Sequence, residues 1–472
     1  MVFSSMTFLC VFFPVVFALY YILPGLRARN VLLILASLLF YAYGEPAYVL
    51  LMIFSIVMNY FFGRMMNTRN AGLRKAALLI AVVINIGLLV VFKYTDMILR
   101  TINQLAGTQI PMTEIALPIG ISFFTFQALS YVIDVYRDEV QSQKSVFNVM
   151  LYVSFFPQLI AGPIVKYHDI QKQIETRKTD VQEIAEGFRR FTIGLAKKVL
   201  ISNTVAIAAD GVFNSQIGEI NIVAAWIGAI SYMLQIYYDF SGYSDMAIGL
   251  GRMFGFHFPE NFDHPYLSKS ITEFWRRWHI SLGTWFREYV YIPLGGNKKG
   301  LPRQIINILI VWMLTGIWHG AGWNFLAWGL YFGALLILEK AVLLKYLNRM
   351  PGWFCRLYAL LFVFGGWVLF AFDSLGQGGN YLLSMFGIGG MGTIALVSGR
   401  AWYLLYNYGF ILAAGILGAG VLPQRCAGRL WEKVKSPVWR AVIENTFLLL
   451  IIVLCTAYLV DAAYNPFLYF RF

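Results

Sequence analysis

Charge is scarce in this 472-residue chain: Asp, Glu, Lys and Arg make up only 13% of it, about half the fraction usual in a soluble globular domain. So few charges cannot clothe a water-facing surface of this size. With 59% hydrophobic and 17% aromatic residues, the chain reads as an integral membrane protein. Cysteine is equally sparse. Cys10, Cys355, Cys426 and Cys455 lie far apart and form no CxxC or Cys/His cluster, which speaks against a disulfide framework and a zinc site. The five histidines show no HExxH or comparable spacing, so no metal is expected, although His257 and His264 share a proline-bounded loop with Glu260 and Asp263. The opening stretch MVFSSMTFLCVFFPVVFALYYILPG has neither a basic n-region nor a small-residue cleavage site, and is expected to be a retained first span. No fixed-period repeat and no inverted pair of broken helices is visible, which weighs against a secondary transporter.

What is present is a succession of apolar runs long enough to cross a bilayer as helices. Hydropathy places about 11 to 14 membrane helices, with the segments near 147–163 and 240–255 short or re-entrant and the last near 443–463. The expected fold is an all-α polytopic membrane protein. A single membrane-embedded domain, 1–472, is the simplest account of the whole chain. The net charge of +13 resides in short loops between those runs, as the positive-inside rule requires, so a nucleic-acid partner is not expected. Arg27 and Arg29 in the first loop, and Arg64, Arg69, Arg74 and Lys75 in the third, put both loops inside; Glu45 in the second faces outside, and so does the N-terminus.

Between 256 and 299 the pattern changes to a mixture dense in charge, aromatics and proline, too polar to cross lipid alone. Ser270 followed by Glu273 resembles a capping box, predicting a helix that carries Glu273, Arg276, Arg277, His279 and Arg287 among Phe274, Trp275, Trp278, Trp285 and Phe286. His279 would share one face of it with Arg276 and Trp275. His279 is either an assisting residue or a structural histidine beside interface arginines. Arg276, Arg277, Lys298 and Lys299 are candidates for meeting the phosphates of a nucleotide-like donor.

In LTGIWHGAGWNF, His319 sits inside the uncharged run 305–338, whose ~34 residues would make a helix of about 51 Å, too long for one span of a ~30 Å core. The chain must tilt or turn there, and Gly316, Gly320 and Gly322 place the turn at His319. An imidazole so placed is costly unless it faces a cavity or a partner, and near neutral pH it suits proton transfer from a hydroxyl attacking an acyl carbonyl. The indole N–H groups of Trp318 and Trp323, and Asn324, can orient the ring or donate to an oxyanion; aromatic-belt packing is the plainer account of the tryptophans. Asp239 and Asp245 serve either a proton relay or the cap of a short helix beginning near Ser241. His168 follows KY in an expected cytoplasmic loop and calls for no special role.

The blocks QIYYDFSGYSDMAIGLGRMFGF, PENFDHPYLSKSITEFWRRWHISLGTWFREYVYIPLGG and LTGIWHGAGWNFLAWGLYFG resemble the membrane-bound O-acyltransferases, in particular the bacterial alginate O-acetyltransferase branch. PIGISFFTFQALSYVIDVYR, FFPQLIAGPIVKY and the ending NPFLYFRF extend the resemblance over nearly the whole chain, with Gly283 standing where serine is common and Glu288 where aspartate is common. The resemblance implies a fold with a central funnel or tunnel, a catalytic core over about 118–340, His319 as the essential histidine and His279 as a second one. It further implies acetyl transfer from a cytoplasmic donor, acetyl-CoA, across the bacterial cell membrane. An extracytoplasmic partner of the SGNH type would receive the acetyl group and esterify a polysaccharide such as alginate. A transporter or flippase without bond chemistry, and a purely structural subunit, are the competing readings.

Overall fold

The computed structural model describes residues 1–215, 220–388, 397, 399–461 and 468. Those residues are helical, without strands; a lone antiparallel bridge joins Phe262 to Trp278. Eight helices among them are long and apolar enough to span a bilayer, and shorter apolar helices such as Phe8–Ile22 and Ile121–Tyr136 accompany them. Of the last expected span, 462 and 463 lie outside the described residues, as does the ending NPFLYFRF apart from Leu468.

The chain forms two compact units. The first comprises Met1–Phe191 and Tyr243–Glu260. Some of its buried polar side chains pair with one another, which offsets their burial, while others such as the Gln127 amide find no hydrogen-bond partner among the described residues. Asn59 and Asn85 exchange amide hydrogen bonds of 3.1 and 2.8 Å between the Tyr48–Met65 and Ala71–Leu89 helices. The Arg177 guanidinium donates to Tyr20 Oη and the Phe254 carbonyl and stacks over Phe256 at 4.2 Å. Glycines 187 and 249 let two helix backbones meet: a Cβ on Gly187 would stand 2.7 Å from the Gly249 carbonyl oxygen. In the segment near 147–163 the helix Val146–Ser154 gives way at Phe155 to the four-residue helix Phe156–Leu159, and buried irregular chain follows. His168, which sequence reading passed over, bonds Asp134 at 3.0 Å and Asp169 at 3.2 Å. Those two carboxylates, Asp134 first, raise its imidazole to about 10, so it is an imidazolium at neutral pH.

The second unit comprises Thr192–Gly242 and Asn261–Phe472. The expected turn in the uncharged run is present: the helix Gly300–His319, here called the histidine helix, gives way through Gly320–Gly322 to the return helix Trp323–Leu338. Small residues bring the two together. A Cβ on Gly329 would lie 2.3 Å from the Trp312 carbonyl oxygen and 3.0 Å from Gly316 Cα. Gly329→Leu is therefore expected to destabilise the fold by about 1–3 kcal/mol, read as a lower melting temperature in detergent; an unchanged melt would contradict the packing.

Two sequence expectations are corrected. No helix begins near Ser241, because the helix Ile222–Met253 runs unbroken through both aspartates. Cations compensate buried Asp239 and half-buried Asp245: Asp239 pairs with Lys198 at 2.5 Å and Asp245 with Arg190 at 2.9 Å, each within one unit. Nor is there one helix from Ser270 to Arg287. Ser270 does cap a helix, its oxygen accepting from Glu273 N–H at 3.0 Å, but that helix covers only Ile271–Arg277. The chain then breaks at Trp278 and His279 and restarts as Ile280–Phe286, so His279 does not share a helical face with Arg276.

Candidate functional site

Aromatic packing carries the two histidines. Trp275, Trp278, Trp312, Trp328 and Trp367 form a cluster with ring centroids 4.7–6.3 Å apart, mostly edge-on or tilted as aromatic quadrupoles favour. His319, the last residue of the histidine helix, is 8% exposed and packs edge-on against Trp318 (4.9 Å), Trp328 (4.9 Å) and Phe370 (5.4 Å). It borders a void of about 20 Å³ whose other walls include Asp239, Phe240 and Trp367. That is room for about one water.

His279 is 2% exposed and belongs to the break between the two short helices. Its φ of +46° is left-handed, a conformation costing roughly 1 kcal/mol or more for a residue with a Cβ. Asn261 holds the strained turn. The Asn261 carbonyl accepts Ile280 N–H at 3.0 Å, while its Oδ1 lies 2.9 Å from Ser281 Oγ, 3.3 Å from Ser281 N and 3.1 Å from His279 Nδ1. His279 Nε2 is buried and has no hydrogen-bond partner among the described residues. Burial first, and then His319, hold this imidazole well below its ordinary value, so the ring is neutral. Trp318 links the pair, its ring 6.0 Å from His279 and 4.9 Å from His319.

His279 also lines a cavity of about 950 Å³. Gln304, Ile308, Val311, Trp312 and Thr315 line it too, one face of the histidine helix at helical spacing. From Gln304 to Thr315 this wall is about 16 Å long, and the loop 295–299 extends it. Among the described residues, five cations border the cavity, Arg276, Arg287, Lys298, Lys299 and Lys340, and no carboxylate lines it. The loop is fixed to the helix by Asn307 Nδ2, which donates to the Gly296 carbonyl at 2.9 Å, and by Arg303 Nε, which donates to that of Leu294 at 3.1 Å.

Of the residues singled out in the sequence, His279, Arg276, Lys298 and Lys299 line this cavity, and Trp318 and His319 adjoin His279 through ring contacts. Three do neither. Arg277 turns to Glu273 at 3.0 Å and Asp263 at 3.3 Å. Trp323 is 55% exposed at the start of the return helix, where an interfacial tryptophan belongs. Asn324 is buried and donates to the Phe372 carbonyl at 3.1 Å. Sequence reading missed Asn261 and Glu339. The first has no motif signal. The second had one, as the first charge after the long uncharged run, and its buried carboxylate accepts the Ile271 and Thr272 N–H groups at 2.6 and 2.8 Å.

Residues 120–375, which include both histidines, match the membrane-bound O-acyltransferase family. The chain belongs to that family. It is 42% identical over 401 residues to the probable alginate O-acetylase of Pseudomonas syringae pv. tomato, covering 82% of this chain and 76% of that one. The probable alginate O-acetylase of Pseudomonas putida is 36% identical over 494 residues, with both chains fully covered. The peptidoglycan O-acetyltransferase of Helicobacter pylori is 36% identical over 427 residues, covering 83% of this chain and 81% of that one. This acyltransferase is accordingly a multi-pass membrane enzyme, and the resemblance carried by the three sequence blocks is borne out.

Proposed function

We propose that this acyltransferase takes acetyl groups from acetyl-CoA at the cytoplasmic face and passes them through the membrane for O-acetylation of an extracytoplasmic polysaccharide. An SGNH-type partner esterifies the polymer. His319 is the base or the residue that handles the acyl group, and His279 assists. The observation that carries the reading is the cavity with five cations and no carboxylate, which reaches from a basic loop along the histidine helix to His279. A donor of this kind bears several phosphates and a thioester at the end of a long arm. Arginine and lysine at the mouth suit the phosphates, and the aromatic far end suits the arm. The positive-inside bias puts the loop carrying Lys298 and Lys299 on the cytoplasmic side, where such a donor is found. The names of the relatives, alginate and peptidoglycan O-acetylating proteins, support a glycan acceptor.

Chemically, a neutral imidazole takes the proton from an attacking hydroxyl as the C–O bond forms, and returns it to the thiolate released when the C–S bond breaks. Arg276→Gln combined with Arg287→Gln should raise KM for acetyl-CoA by about tenfold or more, in keeping with loss of charge-assisted contacts. The assay is release of CoA thiol by the purified chain in nanodiscs. An unchanged KM in folded protein would remove the donor from this cavity, and substrate movement without thioester consumption would favour transport instead.

A further inference from the structure

The hydrogen bonds at Asn261 decide which nitrogen of His279 carries the proton. Ser281 N is a backbone N–H and can only donate, so the Asn261 atom facing it must be the amide oxygen and not the amide nitrogen. The same oxygen faces His279 Nδ1 at 3.1 Å, which obliges Nδ1 to donate and therefore to carry hydrogen. In a neutral ring, Nε2 is then bare. Among the described residues nothing donates to it. Asn261 is itself 1% exposed, and its backbone carbonyl fixes Ile280 while its side chain fixes the residues on either side, so the acceptor cannot drift away from the ring.

We propose that Asn261 is a positioning residue of the acetyl transfer: it locks His279 as the Nδ1–H tautomer, in a left-handed turn, and so keeps Nε2 as a ready proton acceptor. This rests on the reading above in its form where His319 handles the acyl group and His279 assists it as the proton acceptor. During transfer Nε2 takes the hydroxyl proton while Nδ1–H still donates to Asn261, so the imidazolium forms without any rearrangement of the turn. The proton then leaves for the thiolate, and the ring returns to its starting tautomer. Phe240, edge-on at 4.5 Å, and Trp318 limit rotation of the ring, and His319 is the titratable group whose charge it senses.

The test compares Asn261→Ala, Asn261→Asp and His279→Ala as full-length protein in nanodiscs, with acetyl-CoA as donor and thiol release followed between about pH 5 and about pH 9. Asn261→Ala should lower kcat by roughly 100-fold with little change in KM for acetyl-CoA. Asn261→Asp keeps the acceptor and adds a negative charge beside Nδ1–H, which raises the imidazole pKa. Because the reaction needs the unprotonated ring, the acid limb of the profile should move to higher pH while activity is largely kept. A purely structural asparagine would not shift that limb. Histidine-selective nitrogen-15 spectra of the unmodified protein should show one ring protonated at Nδ1 and bare at Nε2, a readout that stands even if Asn261→Ala fails to fold. An Nε2–H ring, or an unmoved acid limb in Asn261→Asp, overturns the inference. Full activity in His279→Ala overturns it together with the role of His279. Loss in His279→Ala with wild-type behaviour of both asparagine variants overturns the inference alone.

Discussion

Replacing His319 by alanine should leave a chain that inserts into the membrane and no longer supports O-acetylation of the polymer. Loss of a proton-transferring side chain typically lowers a rate by about 10²–10⁴-fold, and a residue that carried the acyl group itself would cost at least as much. The ring is the terminal side chain of a twenty-residue helix, packed among Trp318, Trp328 and Phe370, so alanine also opens a gap in the aromatic cluster. That gap should cost a few kcal/mol at about the size of other aromatic truncations, and the remaining hairpin is held by its glycine crossing. His319→Gln separates the effects, since it fills more of the space yet cannot shuttle a proton near neutral pH. Both variants should show wild-type amounts of protein in the membrane and little O-acetyl ester on the polymer. Wild-type ester content in either would defeat the assignment of His319.

The second large effect concerns stability and arises from Glu339. This carboxylate is 0% exposed and receives Ile271 N–H at 2.6 Å, Thr272 N–H at 2.8 Å, the Thr272 hydroxyl at 2.6 Å and the Tyr358 hydroxyl at 3.2 Å. It thus caps, from another part of the chain, the short helix that presents Trp275 and Arg276. A seven-residue helix has little stability of its own, and its orphan N–H groups are buried here. Glu339→Ala leaves several buried donors without acceptors and should cost about 3–5 kcal/mol, as breaking a buried charged network does. Glu339→Gln should fall between, since the amide oxygen keeps part of the network. Melting in detergent gives the measurement, and equal melting temperatures for all three proteins would show that the cap contributes nothing.

What could be read in the sequence was whatever leaves a local or periodic trace. The 305–338 run is too long for one span and has glycines at its middle, so the hairpin follows from length and backbone sterics alone. Ser270 announced a helix start by spacing to Glu273, and the start is there. The end of that helix left no such trace. The break at His279 is imposed by Asn261, eighteen residues earlier, and by the bridge between Phe262 and Trp278; helical spacing of the aromatics concealed it. The aspartates misled for a related reason. Asp239 and Asp245 resemble cap or relay residues in isolation, and only the distant Lys198 and Arg190 reveal why the helix tolerates them. Contacts across long sequence separations set the site's fine geometry, while short-range pattern set the framework on which it rests.

The backbone contact of Gly316 with Gly329 has a mechanical consequence. With main chains touching and no side chain between them, the histidine helix and its return partner behave as a single stiff beam. The beam cannot bow outward to admit a bulky guest. Any breathing of the cleft must come from the opposite bank, 271–286, which is pinned near one end by a glutamate and at its middle by an asparagine. Loosening either pin should alter how quickly guests come and go before it alters what the beam holds at its tip.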